Sequence, residues 1–367
     1  MKTAYLHTAV YHPTHGAYAK SVGAEFIRID KYLPYFTDKN QSRVKRYVSM
    51  LINILFSPAR KYDIIITDEA RPEAAIIKLT SFRKKKLIAT QASYTLTKVH
   101  EKKLSPLSLF FARKAINYYD GIICVGEELF QIAQKVCAGN KGIKIRKTFN
   151  GVNNRKAEVL STNQYNSSSN TIVSICNCFS EDTYTYKAVD IMVDVFDKLL
   201  INHPNLNFII IGKYIPLMND RILSRYKIQT QERIKFFDFD DDILKYFRQG
   251  VLYMQLSRKE AFGVAVIEAA FAGLPVYISD QVGARVMLDE LGNKNDFIIN
   301  NENVKEAVQK VDAFLCFNEQ QKKAVSDQMR YLVKSFTESN ASRQYKTLFE
   351  EIIGTKSSGM SSVNSAG

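Results

Sequence analysis

The residues best placed to do chemistry lie in one run, 257–280, SRKEAFGVAVIEAAFAGLPVYISD. Glu260 and Glu268 stand eight apart, with Phe262 and Gly263 between them. Carboxylates are acceptors only, and each can bind two adjacent hydroxyls, so this spacing suits a polyol ligand. The pattern predicts a buried strand up to residue 256 and a loop over 257–260. A helix should follow over 264–272, closed by Gly273-Leu274-Pro275 in the usual Gly-then-Pro manner. A helix starting at Gly263 aims free amides and a partial positive charge at whatever lies before it, which favours a phosphate group. Glu260 in the loop would then reach sugar hydroxyls. Glu268, just over two turns on, would reach a ribose diol.

These residues need elements to hold them. Short apolar runs at 3–9, 25–29, 63–67, 86–90 and 121–125 read as strands. They alternate with helical patterns at 41–56, 71–82, 105–118 and 127–137. The pattern breaks at 156–170 (KAEVLSTNQYNSSSN), which reads as a connection between domains. It resumes with strands at 171–176, 207–211, 234–237, 251–255 and 275–278, and helices at 187–201, 216–226, 241–248, 264–272 and 283–291. A helical tail runs from about 303 to 352. Alternation of this kind predicts an α/β protein of two Rossmann-like, doubly wound parallel-sheet domains facing a central cleft. The boundaries expected are 1–155 for an acceptor domain, 156–170 for the linker and 171–335 for a nucleotide-sugar domain. Residues 336–353 should form a helix returning to the first domain, and 354–367 a disordered tail.

The whole string from Glu260 through Glu-Ala-x-x-Ala-Gly-x-Pro-Val (268–276) closely resembles the donor-binding signature of the retaining GT-B glycosyltransferase family 4, the glycosyl transferases group 1. Other segments agree in order. Residues 149–153 (FNGVN) resemble the family's Asn-Gly-Val-Asp segment, 120–126 the strand before it, and 208–212 (FIIIG) the second-domain strand ending in Gly, here Gly212. The resemblance implies that Glu260 contacts the donor sugar near its 3- and 4-hydroxyls and Glu268 the ribose. Phe262 and Gly263 would offer amides, and Lys187 would neutralise the diphosphate, assisted by Arg258 and Lys259. It implies transfer with retention, by front-face attack, with no essential metal and no cofactor besides the donor, a UDP- or GDP-sugar. The acceptor would be a glycan or a lipid-linked glycan.

Several positions depart from the family. The usual Gly-Arg before the lysine is replaced by Asn177-Cys178-Phe179, so Lys213 or Arg258 would have to substitute. The glycine-rich loop after the first strand is reduced to Gly16. A family histidine after the fourth strand is replaced by Thr90-Gln91-Ala92-Ser93, leaving His12 and His15 on the first loop as acceptor-side candidates. These losses keep open a catalytically idle GT-B partner subunit, and a GT-B sugar-nucleotide epimerase or phosphorylase.

Composition narrows the rest. Residues 1–155 hold 27 Lys and Arg against 11 Asp and Glu, so the net charge of +14 lies wholly in the first part. That surface suits anionic lipid, nucleic acid or a phosphorylated acceptor. No zinc finger, basic zipper or aromatic RNA-binding signature supports nucleic acid. Residues 98–119 mix Lys102, Lys103, Arg113 and Lys114 with Leu104, Leu107, Leu109, Phe110 and Phe111. Either this is a membrane-surface helix, or Leu109, Phe110 and Phe111 are core and the lysines solvated. No apolar run approaches the roughly 20 residues of a spanning helix, and the N-terminal residues lack the apolar core of a secretory signal. Five cysteines argue against a disulfide framework and for a cytoplasmic protein, and the basic first part argues for a peripheral place on the inner face of the cell membrane. Cys176-x-Cys178 reads as strand-end packing, and Asp238 to Asp242 as a loop before a helix, not as metal sites.

Overall fold

The computed structural model describes residues 1–7, 13–28, 57–70, 72–81, 84–92, 95–178, 180–213 and 216–355. They fall into two compact units, Met1–Phe149 with Glu338–Gly367, and Asn150–Thr337. The expected helix at 41–56, and the tail from 356 onward, lie outside the described residues.

In the first unit, β1 (Thr3–His7), β2 (Glu25–Arg28), β3 (Ile64–Asp68), β4 (Lys86–Gln91), β5 (Gly121–Val125) and β6 (Lys144–Thr148) form one parallel sheet. Its order is β2-β1-β3-β4-β5-β6. Strand β6 (KIRKT) has no counterpart in the sequence reading. It is an edge strand whose exposed positions are charged, so the apolar run that marks an inner strand is absent. Helix Glu338–Ile353 belongs to this unit. It buries Ala341, Tyr345, Phe349 and Ile352, spaced four, four and three apart, into the core built on Tyr5, Tyr18, Ile64, Ile88 and Ile123. The Tyr345 ring stacks on Tyr18 at 4.4 Å, and its hydroxyl meets Thr90 Oγ1 at 2.7 Å. Each buried aromatic there is worth about 1.5–3 kcal/mol.

In the second unit, β7 (Thr171–Ile175), β8 (Asn207–Ile211), β9 (Ile234–Phe237), β10 (Leu252–Gln255), β11 (Val276–Ser279) and β12 (Ile298–Ile299) are likewise all parallel. The order is β12-β11-β10-β7-β8-β9. From β7 the chain winds outward one way through β8 and β9, then the other way through β10, β11 and β12. The order reverses between β7 and β10, and ligands of such sheets bind outside the strand ends at that point. The chain enters and leaves this unit side by side: Val152 bridges Thr337, and its N–H donates to the Phe336 carbonyl at 2.9 Å.

Three expectations are corrected. Residues 156–170 are not all irregular, because Asn154–Ser161 is a helix of the second unit that buries Ala157 and Leu160 and is capped by Asn153. The expected helix 187–201 is Val189–Leu199, and an unexpected helix, Glu181–Lys187, precedes it, the two parted at Ala188, which adopts the left-handed conformation (φ 51°). The His/Gly/Pro segment after β1 is helical from Pro13 to Ser21.

Candidate active site

The local fold around residues 255–263 follows the sequence closely. Strand β10 ends at Gln255, and Gly263 takes φ 91° as the residue before helix Val264–Phe271. A side chain there would be strained by that φ and would press on Glu260 Cγ at 3.2 Å. The loop between is pinned on both sides. Glu260 pairs in register with Val282, and the Arg258 amide donates to the Tyr186 carbonyl at 2.8 Å. That second bond ties the loop to the end of helix Glu181–Lys187, which brings Lys187 to Glu260.

The Lys187 ammonium donates to Glu260 Oε2, and both side chains are largely buried. Gln255 Nε2 donates to the same oxygen at 3.1 Å, and Tyr253 OH donates to Gln255 Oε1 at 2.8 Å. A buried polar chain thus runs from Tyr253 in the sheet to the Glu260 carboxylate and fixes its rotamer. Burial works against the charge on Lys187, but the Glu260 carboxylate outweighs it and holds the ammonium's pKa above the ordinary lysine value. Cys176 and Cys178 lie beside this pair. Burial pushes both thiols up, Cys178 to about 12, so they stay neutral.

A second ion pair stands on the next helix. Lys156 Nζ meets Glu268 Oε1 at 2.6 Å, with Glu268 only 12% exposed. Burial raises the Glu268 pKa above its ordinary value, and Lys156 offsets part of that rise. Lys156 escaped the sequence reading. The signal was there, an Asn153 side chain accepting from the Lys156 amide at a helix start, but the Ser/Asn-rich run behind it dominated.

The remaining expected residues divide. Among the described residues, the Phe262 and Gly263 amides make no backbone hydrogen bond, so the start of helix Val264–Phe271 keeps donors for a ligand. The Phe262 side chain is buried, 6.5 Å from the Phe336 ring. Gly212 has φ 145°, and a Cβ would lie 2.2 Å from the Cys176 carbonyl oxygen. Its own amide donates to Phe237 O at 2.9 Å. Gly212 therefore lets β8 approach the exit of β7, and its N–H is committed. Arg258 is committed too: Nη1 and Nη2 grip Asp190 at 2.9 and 2.8 Å, Nε donates to Glu302, and Nη1 also meets the Thr185 carbonyl. A cavity of about 430 Å³ lies beside it, lined by Glu181, Asp190, Arg221 and Arg225 but by none of Lys187, Glu260 or Glu268. The Lys259 amide joins the bond to Tyr186 O, at 3.3 Å. Exposed Lys213 is tied through its backbone to Asn177 and Cys178, where the family arginine is missing. Phe179 lies outside the described residues.

In the first unit, His15 and Gly16 lie on helix Pro13–Ser21, and His12 and Ser93 fall outside the described residues. His15 Nδ1 meets Asp68 Oδ1 at 2.8 Å, and Tyr5 OH donates to the same oxygen at 2.5 Å. Asp68 ends β3 and Tyr5 lies on β1, the two strands between which this sheet's order reverses. Neither Asp68 nor Tyr5 was singled out from sequence.

Comparison with known proteins bears on the family and the fold. Residues 177–328 match the family model of glycosyl transferases group 1. The chain is 32% identical over 102 residues to the phosphatidylinositol N-acetylglucosaminyltransferase gpi3 subunit of Schizosaccharomyces pombe, covering 27% of this chain and 22% of that one. It is 31% identical over 98 residues to a phosphatidylinositol N-acetylglucosaminyltransferase chain of Homo sapiens, covering 26% and 20%. The chain thus spans about a fifth of the length of these curated relatives. Anabaena Alr3699/HepE, solved in complex with UDP-glucose, superposes with a TM-score of 0.69 at 16% identity over 96% of this chain and 100% of its own. Residues 177–328 therefore resemble the glycosyl transferases group 1, on a chain with the GT-B fold.

Proposed function

We propose that the chain is a glycosyltransferase that moves a sugar from a nucleoside diphosphate to a glycan or lipid-linked acceptor, with retention and without an essential metal. The observation that carries this reading is the pair of lysine–carboxylate contacts, Lys187–Glu260 and Lys156–Glu268, one carboxylate in the loop after β10 and the other on helix Val264–Phe271 that follows it. A donor would part the first pair. Lys187 and the amides at Phe262 and Gly263 would take the diphosphate, and Glu260 would take sugar hydroxyls, with Glu268 on the ribose. In the transfer, the acceptor oxygen bonds to the anomeric carbon on the face the phosphate leaves. The carbon–oxygen bond to phosphate breaks, and the acceptor's proton passes to the departing phosphate. Growing negative charge on that phosphate is met by Lys187.

UDP is the first donor nucleotide to test, because the Anabaena neighbour was solved with UDP-glucose. A lipid-linked acceptor accords with the fungal and human relatives, whose names include phosphatidylinositol. The first unit adds a surface for it. On helix Pro106–Ile116, Leu107, Phe110 and Phe111 are 63%, 55% and 55% exposed, beside exposed Lys102, Lys103, Arg113 and Lys114. The alternative in which Phe110 and Phe111 are core therefore fails. Exposed aromatics interleaved with cations suit an anionic bilayer surface. No helix among the described residues is long and apolar enough to cross a membrane.

Thermal shift against UDP-, GDP- and ADP-sugars, followed by product analysis with lipid and glycan acceptors, tests the reading. Stabilisation by one donor and a transferred sugar of unchanged anomeric configuration are expected. A lone chain that neither binds donor nor turns it over would make it an idle partner subunit. One specific observation favours a second reading: His15 on Asp68 is arranged as a general base, which would deprotonate an acceptor for attack with inversion. An inverted product together with an inactive His15→Ala variant would establish it.

A further inference from the structure

Away from the residues assigned to the donor, three metal-ligating side chains converge on the second unit. His203 follows helix Val189–Leu199, with its amide held by the Leu199 carbonyl at 2.9 Å. Asp312 and Cys316 sit four apart at the end of helix Val304–Leu315, on one face, and the Cys316 amide closes the last turn onto Asp312 O at 3.1 Å. The two helices pack against each other. His203 Nε2 is 2.9 Å from Asp312 Oδ1, and the ligand atoms of all three residues lie within 4.8 Å of one another. Asn202 Nδ2 donates to Asp312 Oδ1 at 3.1 Å, so the carboxylate is oriented by a neighbour that is not itself a ligand. Sequence reasoning gave none of these residues a role. His203 and Asp312 are 109 positions apart in the chain, and no short motif joins them.

We propose that His203, Asp312 and Cys316 bind a divalent zinc ion that clips the end of helix Val189–Leu199 to the end of helix Val304–Leu315. The donor set decides the metal: imidazole nitrogen, one carboxylate oxygen and a thiolate sulfur suit zinc, and exclude the all-oxygen preference of magnesium and calcium. Around one tetrahedral zinc such atoms stand roughly 3.5 Å apart, so the cluster closes by rotation of its side chains. On binding, zinc–nitrogen, zinc–oxygen and zinc–sulfur bonds form, and the Cys316 S–H bond breaks with its proton released to solvent. Cys316 is exposed, so the fourth position is open to water. Lys322 interacts electrostatically with Cys316, and Asn202 supplies the outer hydrogen bond that metal ligands require. The site stands on its own observation and holds whether or not the donor reading does.

The purified full chain, stripped with chelator and then titrated with Zn²⁺, Co²⁺ or Mg²⁺, tests this. Co²⁺ should produce a thiolate charge-transfer band, Zn²⁺ should raise the Tm, and Mg²⁺ should do neither. Cys316→Ser and His203→Ala should lose the band and the Tm shift, and Asn202→Ala should weaken Co²⁺ binding roughly tenfold. Cys316 is exposed, so its serine variant keeps the fold, and the other four cysteines are buried. Absence of the cobalt band, or a band and Tm shift that persist unchanged in Cys316→Ser, overturns the proposal.

Discussion

Both units are parallel sheets whose strand order reverses once, and both place a carboxylate beside that point. What surrounds the carboxylate differs. In the first unit Asp68 is met by His15 and by the Tyr5 hydroxyl. In the second, Glu260 faces an ammonium, and an amide holds it from below. A carboxylate paired to a lysine can exchange that lysine for a hydroxyl-bearing ligand while the lysine takes a phosphate. One held by a histidine ring and a tyrosine hydroxyl in a packed unit holds its own fold together. On the proposed donor reading, the same architecture yields one switchable ion pair and one largely structural cluster.

Replacing Glu260 breaks the comparison hardest. Glu260→Gln keeps the shape and the contact to Lys187 while removing the charge, and turnover should fall on the order of 10²–10³-fold. His15→Ala should change kcat less than about tenfold if transfer is by retention, and on the order of 10²-fold or more if His15 is a base. Single-turnover assays of the two variants side by side read the contrast directly. Equal losses would mean that the first unit's cluster takes part in the chemistry.

The next effect concerns Lys156. Glu268 can accept from two ribose hydroxyls only as a carboxylate, and burial raises its pKa. Donor affinity should therefore fall with decreasing pH, starting at a higher pH than for an ordinary glutamate. Lys156→Met removes the group that offsets the rise, so the fall moves further up and donor KM at neutral pH rises about tenfold, with Lys156→Arg restoring both. The stability sign follows from linkage. The folded carboxyl keeps its proton to higher pH than the unfolded one, so stability falls as pH rises between the two pKa values, and more steeply in the methionine variant. A KM profile identical in all three proteins would remove Lys156 from the site.

What could be read beforehand follows the same divide. Helix Val264–Phe271 was legible because local signals agreed: a glycine at its start, an apolar run, and Gly-Leu-Pro at its end. Strand β6 and helix Glu181–Lys187 were not, because KIRKT and EDTYTYK carry no apolar period and are held by their neighbours. The reach of single side chains was the least legible. Arg258 had the charge for a phosphate, but tertiary partners Asp190 and Glu302 claim it from 68 and 44 residues away. Lys156 lay in a stretch whose composition pointed to a linker, and Asp68 was one more polar residue at a strand end.

A smaller effect sharpens the structural half. Arg330 donates to the carbonyls of Phe271 and Ala272 at the end of helix Val264–Phe271, and to those of Ser161 and Asn163. A cation there satisfies orphan carbonyls and complements the helix dipole. Arg330→Ala should lower the second unit's stability by roughly 2 kcal/mol. The donor KM should rise with it, because the helix that presents Gly263 and Glu268 loses its anchor.

The smallest is Tyr5→Phe, which removes one hydroxyl from Asp68 and leaves the ring in the core. A single hydrogen bond to a carboxylate in a packed unit is worth about 1.5–3 kcal/mol, and the phenylalanine leaves no cavity, so the loss should sit at the lower end. Denaturant midpoints measure it, and kcat should not move. A change in kcat with an unchanged midpoint would show the opposite division of labour: Asp68 would be oriented for catalysis through Tyr5, and the two strand-reversal points would both be working sites.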